Sequence, residues 1–151
     1  MDASEIDVRL KNFRSGPLPP CARHLGFEFL EGSIEQGWVR GYFLARPEFA
    51  NPMGNVQGGF ISAMLDDAMA VAGLLKSNFT QVMPTLEMKT SFLAPAKVGR
   101  LCGEGRVLKL GKSVAFLEGR LTSLDGVVIA VASATARPAA APWLAAAGAA
   151  R

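Results

Sequence analysis

The chain has 151 residues, half of them hydrophobic, and a formal net charge of +3, which suits one domain with a substantial core. Its basic residues are scattered, no uninterrupted apolar stretch is long enough to span a bilayer, and the acidic start lacks the features of a signal peptide. Neither nucleic acid nor membrane is therefore an expected partner, and the expected location is the cytoplasm.

Ile6, Leu10 and Phe13 lie at helical spacing, with Ser4 as a cap, and Gly16-Pro-Leu-Pro-Pro20 ends that helix in an extended or turn conformation. From 25 to 46 the pattern becomes strand-like, with a break near Glu31-Gly32 or Gln36-Gly37 that makes it two strands. Trp38, Arg40, Tyr42 and Leu44 share one face, and Val39, Gly41, Phe43 and Ala45 the other. A polar, glycine-rich loop, Asn51-Pro-Met-Gly54-Asn-Val-Gln57-Gly58-Gly59, leads into a helix expected at 58–77. That helix is apolar on nearly every face, as a helix wrapped by a sheet would be. Strands are expected at about 83–92, 100–110, 113–123 and 127–137, with Asp125-Gly126 as a hairpin turn and short links favouring a largely antiparallel, meander-like run. The fold class is α+β: six antiparallel strands around one long helix. The expected division is 1–20 for the N-terminal helix and Pro-rich turn, 21–137 for the domain and 138–151 for a mobile Ala/Pro-rich tail, loosely docked through Trp143 and Leu144.

His24 is the single histidine, and Cys21 and Cys102 are far apart with no Cys-x-x-Cys partner. There is no nucleophile elbow, P-loop or dinucleotide-binding turn, so no metal or redox cofactor is expected. Acid–base chemistry, if the chain is an enzyme, falls to carboxylates. Asp66 and Asp67 sit inside the apolar helix, where a charge is costly unless it is paired or has a task. Asp66 suits a general base on water or a nucleophile on an acyl carbon, and burial would raise its pKa. Its structural alternative is a hydrogen-bonded carboxylate at a subunit contact. Asp67 points about 100° away around the helix, which favours a structural or supporting role.

The unpaired N–H groups at the helix start, with Gly58 and Gly59 leaving the backbone open to a ligand, suit a developing oxyanion. Tight helix–sheet packing is the alternative reading of the glycine pair. Asp66 lies eight residues beyond Gly58, roughly 12 Å along the helix axis. One carbonyl can hardly touch both in one chain, so a shared site requires two subunits about a two-fold axis.

At these residues the chain resembles the hotdog-fold acyl-CoA thioesterases, specifically the phenylacetate-degradation type of the 4-hydroxybenzoyl-CoA thioesterase superfamily. That family's pattern is Asn-x-x-Gly-x-x-His-Gly-Gly, with Asp nine residues after the His. Asn51, Gly54, Gln57, Gly58, Gly59 and Asp66 stand at that spacing, and the likeness continues through Thr85 to Gly99 and Gly111 to Phe116. The resemblance implies a curved sheet around the central helix and dimers assembled into tetramers, with sites at the dimer interface. It also implies that Asp66 activates water or attacks the acyl carbon. Gly58 N–H, helped by Asn51, would polarise the thioester carbonyl, and Thr85, from the subunit that supplies Asp66, would position the water. Gln57 replaces the usual His; it can orient Asn51 or the thioester but does not titrate.

Coenzyme A enters as part of an acyl-CoA substrate. Lys112 and Ser113 are candidates for its phosphates, with Lys97 and Arg100 behind them. Phe60, Met64, Met83 and Phe92 are candidates for an acyl pocket or else core packing, and Gly59 offers close backbone approach. A non-catalytic acyl-CoA binder is the alternative function. Less favoured is a dehydratase or hydratase, which needs a His beside a carboxylate, and His24 stands outside any such motif.

Overall fold

The apolar helix expected at 58–77 is α3 (Gly58–Lys76), and the rest of the chain is built around it. The computed structural model describes residues 3–144. Before α3 come α1 (Ala3–Ser15), α2 (Pro20–His24), β1 (Glu28–Ser33), β2 (Trp38–Ala45) and a 3-10 turn at Pro47–Phe49. After it come β3 (Gln81–Val82), β4 (Thr85–Phe92), β5 (Gly99–Leu110), β6 (Ala115–Ser123), β7 (Val128–Ala136) and β8 (Ala139–Ala140). β1, β2, β5, β6, β7 and β4 form, in that order, one antiparallel six-stranded sheet. Its inner face packs on α3, which is the hotdog architecture. By length and composition α3 could cross a membrane, but Met64, Leu65, Met69, Ala72 and Leu75 are buried in the core it forms with the sheet.

The face assignment for β2 holds, with Val39, Gly41, Phe43 and Ala45 on the buried side. At Gly105 a Cβ would stand 2.1 Å from the Ala68 carbonyl oxygen, so only glycine lets α3 lie directly on β5. The Pro-rich stretch ends α1 and is extended at Pro19, with φ −63° and ψ 157°, and Pro20 then opens the short helix α2, because proline at the first helical position has no N–H to waste there. Two expectations need correction. α1 already begins at Ala3, which puts Ser4 inside its first turn. The meander holds for β5, β6 and β7 only, since β4 pairs with β7 at the sheet's edge.

The link from β4 to β5 therefore crosses under the start of α3. Ala96 on it is buried, its carbonyl accepts the Val56 N–H at 2.9 Å, and Lys97 bridges Asn55. This crossing ties the loop before α3 to the sheet. Beyond β7, Ala139 and Ala140 pair with Val82 and Gln81, Ala141 is buried, and Trp143 is 61% exposed. This described part of the Ala/Pro-rich segment meets the domain through backbone pairing and Ala141; residues 145–151 lie outside the described residues.

Candidate active site

The loop entering α3 is braced by its own polar groups. Asn51 Oδ1 accepts the N–H groups of Met53 at 3.0 Å and Asn55 at 3.1 Å, and the Asn51 N–H donates to the Asn55 carbonyl at 2.7 Å. This side chain-to-backbone turn commits the Asn51 oxygen to the loop. Its amide nitrogen has no partner among the described residues. Lys97 Nζ, 3.1 Å from Asn55 Oδ1, fastens the same loop to the crossing link.

Gln57 is the N-cap of α3: its Oε1 accepts the Gly59 N–H at 2.6 Å, while its carbonyl accepts the Phe60 N–H at 3.0 Å. Ser, Thr, Asp and Asn usually fill this position, and glutamine reaches the same N–H with a longer arm. Gln57 therefore grips the helix rather than Asn51. Of the first N–H groups, that of Gly58 alone is left without a hydrogen-bond partner among the described residues. It lies at the positive end of a helix of 19 residues.

Two turns on, Asp66 Oδ1 accepts the Thr85 hydroxyl at 2.6 Å. Strand periodicity alone would turn Thr85 away from the helix, since Met88, Thr90 and Phe92 alternate toward it. The register of β4 against β7 slips between Thr85 and Glu87, leaving Leu86 as the extra residue. Such a bulge re-aims the side chain beside it, and here it aims Thr85 at Asp66. Between the two ends Ser62 Oγ donates to Thr90 Oγ1 at 3.2 Å. The α3–β4 seam thus reads Gly58 with Phe92, Ser62 with Thr90 and Asp66 with Thr85, one helical turn apart.

The carboxyl perturbed by burial is Asp67. Desolvation first, then the neighbouring Asp66 charge, pushes its pKa up to about 6 from 3.8. Its Oδ2 is closed off from solvent and has no hydrogen-bond partner among the described residues. Because the folded chain holds this proton more tightly than the unfolded one, stability falls as pH rises from about 4 to 6. Asp67→Asn is expected to flatten that slope and to raise stability at pH 7 by at most about 3 kcal/mol. Urea unfolding at pH 4, 5, 6 and 7 measures it; an unchanged slope would show that Asp67 ionises freely.

The remaining candidates fall into separate places. Phe60 is half-buried and stacks on buried Phe49, with ring centroids 4.0 Å apart and planes 8° apart. Met83 is only 4% exposed and packs on Gly73 near the far end of α3, which puts it in the core and away from Gly58. Lys112 and Ser113 are exposed in the β5–β6 connection. Ala115 and Thr85 both pair with Ala136, so that connection lies at the Asp66–Thr85 end of the seam. A concavity of about 700 Å³ lies across the outer sheet face, with Arg40, Glu104, Arg106, Glu118 and Arg120 in its lining. It faces away from Gly58 and Asp66. Among the described residues no group of His, Cys, Asp and Glu could hold a metal ion.

A family profile described as the thioesterase superfamily matches residues 53–130, about half the chain. Among solved structures, a phenylacetic acid degradation-related protein from Ralstonia eutropha JMP134 is 34% identical, with a TM-score of 0.78; the match covers 86% of this chain and 98% of that one. A thioesterase from Haemophilus influenzae shares the fold at 18% identity, 87% and 88% coverage and TM-score 0.72. A Streptococcus mutans UA159 protein bound to acetyl-CoA does so at 21% identity, 76% and 89% coverage and TM-score 0.66. Among curated proteins none matches.

Proposed function

The chain belongs to the thioesterase superfamily, and from that premise we propose that it hydrolyses a small or medium acyl-CoA to the free acid and coenzyme A. The observation that carries this reading is the pair of half-sites on α3. A single unpaired N–H stands at Gly58, and a carboxylate held by a hydroxyl stands at Asp66. Asp66 takes a proton from water as the water oxygen bonds to the thioester carbonyl carbon. The carbonyl oxygen, now negative, is held by the Gly58 N–H and the Asn51 amide. Collapse of this intermediate breaks the carbon–sulfur bond, and the proton held by Asp66 passes to the departing sulfur, which releases the thiol and restores the carboxylate. Thr85 fixes the Asp66 rotamer and leaves Oδ2 to face the water.

The two half-sites are roughly 12 Å apart along one helix, so the working site joins Gly58 of one subunit to Asp66 of another. The exposed edge strand β4 runs beside both half-sites, and an antiparallel two-fold contact there brings unlike ends together. A dimer of dimers is the proposed assembly. Lys112 and Ser113, exposed at the Asp66–Thr85 end, are the candidates to meet coenzyme A phosphates. Asp66 attack on the acyl carbon, with an anhydride intermediate, is the other route the same geometry allows.

The test is free-thiol release from a panel of straight, branched and aromatic acyl-CoA substrates. Turnover of at least one substrate at a kcat near the usual enzyme range, about 1 s⁻¹ or above, is expected. Binding without thiol release from any substrate would replace hydrolysis with a carrier role.

A further inference from the structure

Phe92 ends β4 directly over Gly58. A Cβ built on Gly58 would stand 3.1 Å from Phe92 Cζ and 3.2 Å from Cε1. The ring is nevertheless 54% exposed, and the residue paired with it on β7 is only Ala130. A large ring left half in solvent, with its tip on the backbone beside an unpaired N–H, forms a wall without completing a core. Glycine at 58 therefore leaves room for the ring beside the N–H.

We propose that Phe92 is a specificity-determining residue that limits bulk on the acyl carbon next to the thioester carbonyl. The inference rests on the acyl-CoA hydrolase reading. A carbonyl oxygen held by the Gly58 N–H puts the carbonyl carbon within a few ångströms of this ring, by ordinary hydrogen-bond lengths of about 3 Å. The ring is an exposed apolar surface, suited to the acyl group and not to the long polar thiol carrier. An unbranched chain passes the ring tip, whereas a methyl branch at the first carbon collides with it.

The test compares pentanoyl-CoA with its isomer 2-methylbutanoyl-CoA, equal in carbon count, in the wild type, Phe92→Leu and Phe92→Ala. The kcat/KM ratio of branched to straight substrate is expected to rise about tenfold in Phe92→Ala, the scale set by one methyl group in a fitted pocket. Phe92→Leu should fall between, and it serves if the alanine variant does not fold. In a second measurement, Gly58→Ala keeps the N–H but sets a methyl 3.1 Å from the ring tip, which must shift by a few tenths of an ångström, so adding Phe92→Ala should restore any turnover the methyl costs. Turnover with an unmoved ratio, or equal changes for both isomers, would overturn the inference alone and put the ring on the thiol side. A wild type that releases no thiol from any acyl-CoA would take it down with the reading beneath it.

Discussion

Asp66→Asn is expected to lower kcat for acyl-CoA hydrolysis by about 10²–10⁴-fold, the usual contribution of a positioned general base. Asparagine has nearly the same shape, and its side-chain oxygen still accepts the Thr85 hydroxyl now 2.6 Å from Asp66 Oδ1. What it lacks is a lone pair basic enough to take a proton from water. The loss should fall on kcat with KM little changed, because the proposed mechanism has Asp66 act on the attacking water and not on the bound thioester. Steady-state thiol release, with circular dichroism and native mass as controls of fold and assembly, measures the effect. A variant retaining more than a tenth of wild-type kcat would remove Asp66 from the chemistry.

Gly58→Pro is the complementary change at the other half-site, with an expected loss of about 10²–10³-fold in kcat, the scale for removing one oxyanion donor. Proline deletes the N–H outright, yet it is the residue best suited to the first position of a helix. The residue before it must be extended, and Gln57 already is, with φ −64° and ψ 139°. The helix should therefore form, with Gln57 still capping the Gly59 N–H. The added ring atoms would press on Phe92, which is 3.1 Å from a Cβ at this position, so the comparison is made in a Phe92→Ala background as well. The same loss in both backgrounds assigns it to the missing N–H. A loss seen only with Phe92 present would assign it to crowding.

Much of the candidate site was legible in the sequence because its signals are strong local ones. A helix apolar on all sides has to be wrapped, and two carboxylates within it demand a reason. The rise per residue alone separated Gly58 from Asp66. Thr85 was legible only through resemblance: its period-2 position faces the wrong way, and the bulge at Leu86 that turns it inward leaves no mark in composition. Gln57 drew attention as a departure from the family motif, but its role as N-cap depends on a side-chain rotamer. Phe92 entered as one of several apolar candidates; its contact with Gly58 arises because β4 crosses to the sheet edge beside α3, which short-link reasoning did not anticipate. Of the two readings offered for Met83, the core one agrees with its place: the turn before β4 seats it on Gly73, at the far end of the helix.

The central claim is that each site takes its oxyanion donor from one subunit and its carboxylate from the other. Mixing Asp66→Asn with Gly58→Pro chains tests it most directly, each nearly inactive alone. Co-expressed with different tags and purified as the mixed species, each mixed dimer would hold one doubly defective site and one intact site. Random assembly of equal amounts should then restore about a quarter of wild-type activity, and the purified mixed dimer about half. Mixed dimers confirmed by native mass that stay as inactive as either parent would place Gly58 and Asp66 in the same subunit's site and contradict the account.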